Sequence, residues 1–192
     1  AEALEKIRIG LSFDDEEARC QSARWVYIDG PPGSGKSAVL LEAALKASAH
    51  CQVLIICPTG RLVHNFKAKL PEKDGVENIR IDTIHGVLGY QRPKDGKVDW
   101  CPISALRRID LILCDEGSQY ADSEWDKLFQ TLREQPHSPF TAVVADFQQL
   151  QPINKGGSCR AFCERMPTVN LQTVYRSSDK DHLLFLNRIR LK

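Results

Sequence analysis

The sequence predicts an α/β fold in which helices cover both faces of a mostly parallel sheet. Two observations predict it: short apolar runs alternate with helical stretches, and no internal repeat or low-complexity linker interrupts them. The 192 residues are 42% hydrophobic and 27% charged, which suits one folded domain with a well-filled core. Two full domains would fit this length only tightly.

Six segments are strand candidates because they are rich in β-formers or form short apolar runs: 25–28, 52–57, 78–81, 109–114, 141–145 and 168–171. The run at 52–57 stops at Pro58 and is typical of a strand covered on both faces. Helices are expected between the strands at 37–49, 62–70, 83–90 (a short helix or turn) and 123–133, and a closing helix is expected after the last strand at 179–189. The polar segment 91–100 is predicted to be a surface loop.

The apolar runs and the cysteines indicate where such a chain resides. No run approaches the roughly 20 residues that span a bilayer, and the start carries no signal-peptide pattern, so a soluble intracellular protein without a membrane partner is expected. Cys51, Cys57 and Cys114 lie in or beside apolar runs, where reduced thiols behave as small hydrophobes. Cys159 and Cys163 have helical spacing and no second pair that would complete a zinc site.

The charge distribution bears on nucleic acid as a partner, although the net charge of +1 does not. Segment 61–69 holds Arg61, Lys67 and Lys69 without an acid, and segment 92–108 holds more bases than acids. Local basic segments on a neutral chain suit a protein that binds a phosphate backbone on one face. Charge alone favours the alternative of an ordinary solvated surface.

A glycine-rich motif between the first strand and the first helix after it predicts phosphate binding. It fits the pattern G-x-x-x-x-G-K-[ST] and comprises Gly30, Pro31, Pro32, Gly33, Ser34, Gly35, Lys36 and Ser37. Gly33 and Gly35 let the backbone turn its N–H groups around the β-phosphate of a nucleotide, at the positive end of the following helix. Lys36 would add a positive charge at the β- and γ-phosphates, and Ser37 a hydroxyl ligand for Mg²⁺.

An acid pair follows the apolar strand at 109–114 and predicts hydrolysis of the bound nucleotide. Asp115 would hold Mg²⁺ together with Ser37, and Glu116 would orient and deprotonate the attacking water. A helix cap is the alternative reading of the pair taken alone. A GTPase is disfavoured because the Asn-Lys at 154–155 is followed by two glycines rather than by the N-K-x-D pattern, and a small-molecule kinase would not need Glu116.

Six motifs in order resemble those of superfamily-one helicases, particularly the RecD-like and Pif-type branch. They are GPPGSGKS (30–37), CPTGR (57–61), TIHG (83–86), DEGS (115–118), ADFQQLQP (145–152) and VYRS (174–177). The likeness covers the chain from Trp25 onward. It implies a RecA-like P-loop NTPase fold that uses ATP as substrate with Mg²⁺.

The resemblance also implies roles for residues outside the first two motifs. Gln149 would contact the γ-phosphate and report its loss to the nucleic acid, and Arg176 would stabilise the transition state as an arginine finger. Thr59, Arg61 and His85 would contact the backbone of a single strand. The residues alone leave simpler alternatives open. Gln149 could be a polar loop residue and Arg176 a surface arginine. Thr59 could be a turn residue, and His85 could bond a local carbonyl.

The domain organisation and function follow from the same resemblance. Residues 1–24 would form a lead-in segment and residues 25–192 one RecA-like ATPase domain, with the second RecA-like domain absent from this chain. ATP hydrolysis would drive movement on single-stranded DNA, with 5′-to-3′ polarity favoured. An RNA helicase of the same superfamily, a nucleotide-dependent binding switch without motor activity and a P-loop kinase are the alternatives.

Overall fold

The computed structural model describes residues 2–12, 24–72, 76–91, 99–135, 138–149 and 158–174. Six helices occur in these residues: α1 (Glu2–Ser12), α2 (Lys36–Ala47), α3 (Gly60–Lys67), α4 (Ile84–Leu88), α5 (Asp122–Arg133) and α6 (Ser158–Cys163). The strands are β1 (Trp25–Asp29), β2 (Val53–Cys57), β3 (Ile79–Thr83), β4 (Tyr90–Gln91), β5 (Asp99–Trp100), β6 (Leu111–Cys114), β7 (Phe140–Val144) and β8 (Thr168–Asn170). Short 3-10 turns occupy Val76–Asn78, Ser104–Arg108 and Gly117–Gln119.

Six of the strands form one sheet in the order β3-β2-β6-β7-β1-β8, and every neighbouring pair is parallel. All six predicted strands are therefore present, and the predicted α/β class is confirmed. The inner strands β2, β6 and β7 are buried along their whole length, which explains their apolar sequences. The edge strands β3 and β8 carry exposed residues, as strands with one neighbour do.

Successive side chains of each strand belong to two separate hydrophobic cores, one on each face of the sheet. One face packs against α1, α2 and α3, and buries residues such as Ile7, Leu40 and Phe66. The other face packs against α4, α5 and α6, and includes Trp125 and Leu128. Side chains alternate between the two faces of the sheet along each strand, and the helices that connect the parallel strands cover both faces, as predicted.

Three elements differ from the expectation or were absent from it. Residues 91–100 are not only a loop, because Tyr90–Gln91 and Asp99–Trp100 pair as a short antiparallel ribbon. Helix α1 lies in the segment expected to be a lead-in, and its Ala3 and Ile7 are each 2% exposed. Helix α6 was also missed, since its six residues are too few for a clear periodicity. The predicted helix at 179–189 lies outside the described residues.

The cysteines of the apolar runs lie in the apolar surroundings that the sequence indicates. Cys57 and Cys114 are fully buried, and burial raises the pKa of the Cys57 thiol to about 12. Cys159 and Cys163 lie one turn apart on α6, with their sulfurs 3.9 Å apart. Within the described part of the chain, no group of three or more His, Cys, Asp or Glu side chains could hold a metal ion, and no helix is long and apolar enough to cross a membrane.

Candidate active site

The glycine-rich loop joins β1 to α2 and is shaped by residues without side chains. Gly33 and Gly35 have φ angles of 80° and 86°, which L-amino acids with a Cβ rarely adopt. A Cβ at Gly30 would lie 2.6 Å from Ser34 Oγ and 3.0 Å from Leu171 Cβ. Gly35 is the N-cap of α2 and offers no side-chain bond. The first N–H groups of α2 therefore have no capping side chain and form the amide end at which anions bind.

Lys36 begins α2 and is held inside the loop. Its side chain is 6% exposed, and Nζ donates to the carbonyl oxygens of Gly30, at 2.7 Å, and Pro31, at 3.1 Å. A buried ammonium group is costly unless its charge is compensated. Its charge lies close enough to Asp115 and Glu116 to oppose the rise in pKa that burial causes in both carboxyl groups.

Asp115 and Ser37 come together although 78 residues separate them. The Ser37 hydroxyl donates to the Asp115 carboxylate, with Oγ 3.1 Å from Oδ1 and 3.3 Å from Oδ2. Asp115 is fully buried, and burial, reinforced by the Glu116 charge, raises its pKa to about 6 against the opposing effects of Ser37 and Lys36. A carboxylate and a hydroxyl in contact form an oxygen donor pair that suits a hard cation such as Mg²⁺.

Glu116 has a strained backbone and a carboxylate whose environment disfavours its charge. Its φ of 49° and ψ of 44° lie in the left-handed region, which costs a residue with a Cβ about 1–2 kcal/mol. Its Oε2 is buried and has no hydrogen-bond partner among the described residues. Burial raises the pKa of this carboxyl group, Lys36 opposes the shift, and Asp146 adds to it. Strain and an orphaned polar atom in a cavity are features of functional sites.

Aromatic side chains that the sequence analysis did not single out hold the segment after Glu116. The Tyr120 hydroxyl lies 2.8 Å from Ile56 O and 2.9 Å from Asp115 O, so it bridges β2 and the acid pair. Trp125 Nε1 donates to Gly117 O at 3.0 Å. These buried donors are on or next to α5, and only the packing of that helix brings them to the acid pair.

Gly117→Ala is expected to destabilise the fold by about 1–3 kcal/mol, the usual cost of overpacking. A Cβ at this position would lie 2.9 Å from Val143 Cγ1 and 3.0 Å from Trp125 Cζ2. Gly60→Ala is the matched control, because a Cβ there meets nothing within 4 Å, and its effect should stay within about 0.5 kcal/mol. Urea denaturation of both variants measures the difference, and equal stabilities would contradict this account of the packing.

The five residues predicted to surround a triphosphate line one cavity of about 560 Å³. They are Lys36, Ser37, Asp115, Glu116 and Gln149, joined by loop residues Pro32, Gly33 and Gly35. One wall of the cavity, the α3 wall, is formed by Leu62, Asn65 and Phe66 of α3 and by Lys69 just after the helix. The α3 wall was not predicted. Its residues are three or four positions apart, so they share one face of the helix. This spacing could have identified them only if the element that packs beside α3 had been known.

The three residues expected to contact nucleic acid lie outside this cavity, beyond the ends of β2 and β3. Those two strands are neighbours, with Cys57 opposite Thr83 in register. Thr59 is the N-cap of α3, and its hydroxyl accepts from Leu62 N at 3.4 Å. Arg61 is exposed in the first turn of α3.

His85 is half-exposed in the first turn of α4 and bonds a side chain rather than a local carbonyl. Its Nε2 lies 2.7 Å from Oε1 of the buried Glu124 on α5, which the sequence analysis did not identify. The other oxygen of Glu124 accepts from Ala121 N and so caps α5. Arg176 lies outside the described residues, and its predicted role stays a prediction.

The fold and this cavity define a class of protein. A glycine-rich loop between β1 and α2, with an acid pair at the end of β6 on the same edge of a parallel sheet, defines a P-loop NTPase domain of the RecA-like kind. The chain belongs to the AAA domain family, whose model matches residues 16–191.

Comparisons with individual proteins agree with the predicted resemblance. The chain is 29% identical over 184 residues to the ATP-dependent RecD2 DNA helicase of Deinococcus radiodurans. That match covers 93% of this chain but 24% of the relative, so the chain spans about a quarter of the relative's length.

Solved structures of Pif1 helicases share the fold. One, from a study of DNA unwinding at forked duplexes by two Pif1 helicases, matches 97% of this chain and 47% of its own with a TM-score of 0.65. Bacteroides Pif1 bound to single-stranded DNA matches with a TM-score of 0.63, covering 97% of this chain and 45% of its own. Both are 17% identical in sequence, so they establish the RecA-like fold. The predicted resemblance to RecD-like and Pif-type helicases is confirmed.

Proposed function

We propose that the chain is the ATP-hydrolysing motor domain of a DNA helicase that moves on single-stranded DNA, with 5′-to-3′ polarity. The observation that carries the proposal is the convergence of Lys36, Ser37, Asp115, Glu116 and Gln149 on one cavity. The relative whose sequence matches is an ATP-dependent DNA helicase. One similar structure holds single-stranded DNA. These comparisons favour DNA over RNA as the partner.

In the proposed reaction the chain binds the triphosphate and directs a water molecule at it. The N–H groups of the glycine-rich loop and the Lys36 ammonium group bind the phosphate oxygens. Ser37 and Asp115 fit Mg²⁺, which would supply a positive charge against the phosphates. Glu116 accepts a proton as the water oxygen bonds to the γ-phosphorus and the bond to the bridging oxygen breaks, releasing ADP and phosphate.

The proposal assigns the remaining candidates to coupling between hydrolysis and nucleic acid. Gln149 would contact the γ-phosphate, and Arg176 would complete the charge stabilisation. Thr59, Arg61 and His85 would contact the strand's phosphates at the ends of β2 and β3. Arg61 is well suited because its guanidinium group is exposed at the start of α3, where it can donate to phosphate oxygens.

Single-stranded DNA is expected to raise the rate of phosphate release from ATP by about tenfold or more, within the usual range of coupling between two sites. The measurement compares the protein's full chain without nucleic acid, with single-stranded DNA and with single-stranded RNA. A duplex with a 5′ overhang should be unwound faster than one with a 3′ overhang. Stronger stimulation by RNA would favour an RNA helicase, and phosphate transfer to a small acceptor would favour a kinase.

Arg61→Ala serves as the mutational half of this test. Losing one phosphate contact should weaken DNA binding and reduce the slope of log K against log salt by about 0.7, the value expected per contact on a single strand. Arg160→Ala is the matched control, because Arg160 is an exposed arginine of α6 that pairs with Glu164 just after the helix. An unchanged slope for Arg61→Ala, or the same change in both variants, would remove Arg61 from the proposed contact surface.

A further inference from the structure

We propose that Asp146 is a positioning residue for Gln149: it orients the Gln149 amide toward the nucleotide and ties it to the loop that carries the acid pair. The inference rests on the proposed function, because it concerns how the same cavity is prepared for hydrolysis. Asp146 lies two residues after the end of β7 and is 1% exposed, so its carboxylate acts inside the protein rather than on a ligand in solution.

The hydrogen bonds of Asp146 determine which way the Gln149 amide faces. Asp146 Oδ2 accepts from Gln149 Nε2 at 3.0 Å, and Oδ1 accepts from the backbone N–H of Gln148 at 3.1 Å. A carboxylate only accepts, so the amide of Gln149 must present its NH₂ group to Asp146. Because the amide is planar, its carbonyl oxygen must then point away from Asp146. The backbone N–H of Gln149 also bonds Asp146 O at 3.1 Å, which closes the turn between the two residues.

Asp146 also connects this turn to the acid pair. Its backbone N–H donates to the hydroxyl of the buried Ser118, two residues after Glu116, at 3.3 Å. The strands before the two loops are neighbours, with Cys114 opposite Val143. The Gln149 turn and the Glu116 loop are therefore connected through one residue.

The position of Asp146 indicates that it orients Gln149 and does not itself contact the nucleotide. Asp146 is absent from the residues that line the cavity, whereas Gln149 and Glu116 are among them. Asp146 therefore acts through Gln149. Correct orientation of a group beside the reacting atoms matters strongly for rate, because a small misplacement can cost about a hundredfold. A loss of orientation should thus appear in kcat more than in the KM for ATP.

Asp146→Asn tests the inference, since the variant keeps the shape and removes one acceptor. If the new carbonyl oxygen keeps the bond from Gln148 N, the new NH₂ group faces Gln149 Nε2, and the Gln149 amide must either turn over to present its carbonyl oxygen or lose the bond. If the new amide lies the other way, the bond from Gln148 N that shapes the turn is lost instead. The expected result is a fall in kcat of about 10-fold to 100-fold, with the KM for ATP changed by less than about threefold. In the Gln149→Ala background the same substitution should cause no further loss, because no amide remains to be oriented.

The controls separate this inference from the proposed function and from a folding defect. Asp110→Asn is the matched control, because Asp110 accepts from Gln52 N at 2.8 Å at the opposite edge of the sheet, and kcat should not change. If Asp146→Asn does not fold, Ser118→Ala is the second variant, because it removes the acceptor of the Asp146 N–H. Ser118→Ala should lower kcat by less than Asp146→Asn does. That loss should also disappear in the Gln149→Ala background. Equal fold-losses in both backgrounds would overturn the positioning role. A wild-type chain that does not hydrolyse ATP would instead refute the proposed function.

Discussion

Glu116→Gln is expected to slow ATP hydrolysis by about 10²–10⁴-fold, the contribution typical of a general base, while leaving ATP binding intact. The substitution preserves the size of the side chain but removes its ability to take a proton from water. Glutamine accepts the same left-handed backbone at similar cost, so the strained turn should persist. Nucleotide affinity should be retained or slightly increased, because the neutral amide removes a negative charge from the cavity that receives the negatively charged phosphates.

The measurement pairs a phosphate-release assay with a nucleotide-binding titration on the same preparation. Glu42→Gln is the matched control: Glu42 lies on α2 and forms an exposed ion pair with Lys46 at 2.7 Å, away from the cavity. It should hydrolyse ATP at the wild-type rate. An active Glu116→Gln protein would show that another group accepts the proton, and loss of ATP binding would show that Glu116 contributes to the bound state instead.

Lys36→Ala is expected to slow ATP hydrolysis about as much as Glu116→Gln does, and also to weaken ATP binding. Removing this group leaves the carbonyl oxygens of Gly30 and Pro31 without their buried donor. It also removes the positive charge that opposes the rise in pKa caused by burial of the Asp115 and Glu116 carboxyl groups. Without it, the phosphates would approach two carboxylates with no compensating ammonium group nearby on the loop. Hydrolysis should fall by about 10²–10³-fold or more, as when a preorganised charge stabiliser is removed.

A binding titration and a hydrolysis assay together test the Lys36 prediction. Lys36→Met is a second variant that keeps the packing of the stem, so a shared loss in both variants assigns the effect to the charge. Lys46→Ala is the matched control on the same helix, because Lys46 is exposed and pairs with Glu42. Wild-type ATP affinity and hydrolysis in Lys36→Met would exclude the proposed phosphate contact.

Local pattern carried much of the prediction of this fold. Continuous apolar runs identified the buried strands β2, β6 and β7, because a strand covered on both faces has no polar side. The short ribbon of β4 and β5 was missed because two-residue strands carry no periodicity. Helix α1 was missed because it stands before the strand–helix alternation that organised the rest.

Some features of the candidate site could also be predicted from local sequence, and others could not. The glycine-rich loop was predictable because its conformation is local: Gly33 and Gly35 adopt positive φ angles that their residue type permits. The contact of Ser37 with Asp115 was inferred from the rule that carboxyl ends of parallel strands share an edge. The bonds of Asp146 to Gln149 and of Glu124 to His85 were not inferred, because nothing in the sequence states which polar neighbour a side chain will choose.

The sequence by itself determined the strands, most of the helices, the loop that fits a triphosphate and the acid pair beside it. These features depend on residue type and spacing, which act over a few residues. Only the tertiary structure decided the strand order, the α3 wall of the cavity, the strained backbone of Glu116 and the aromatic and carboxylate partners behind it. Those features depend on contacts between residues far apart in the chain, whose choice of partner follows from the packing of whole elements.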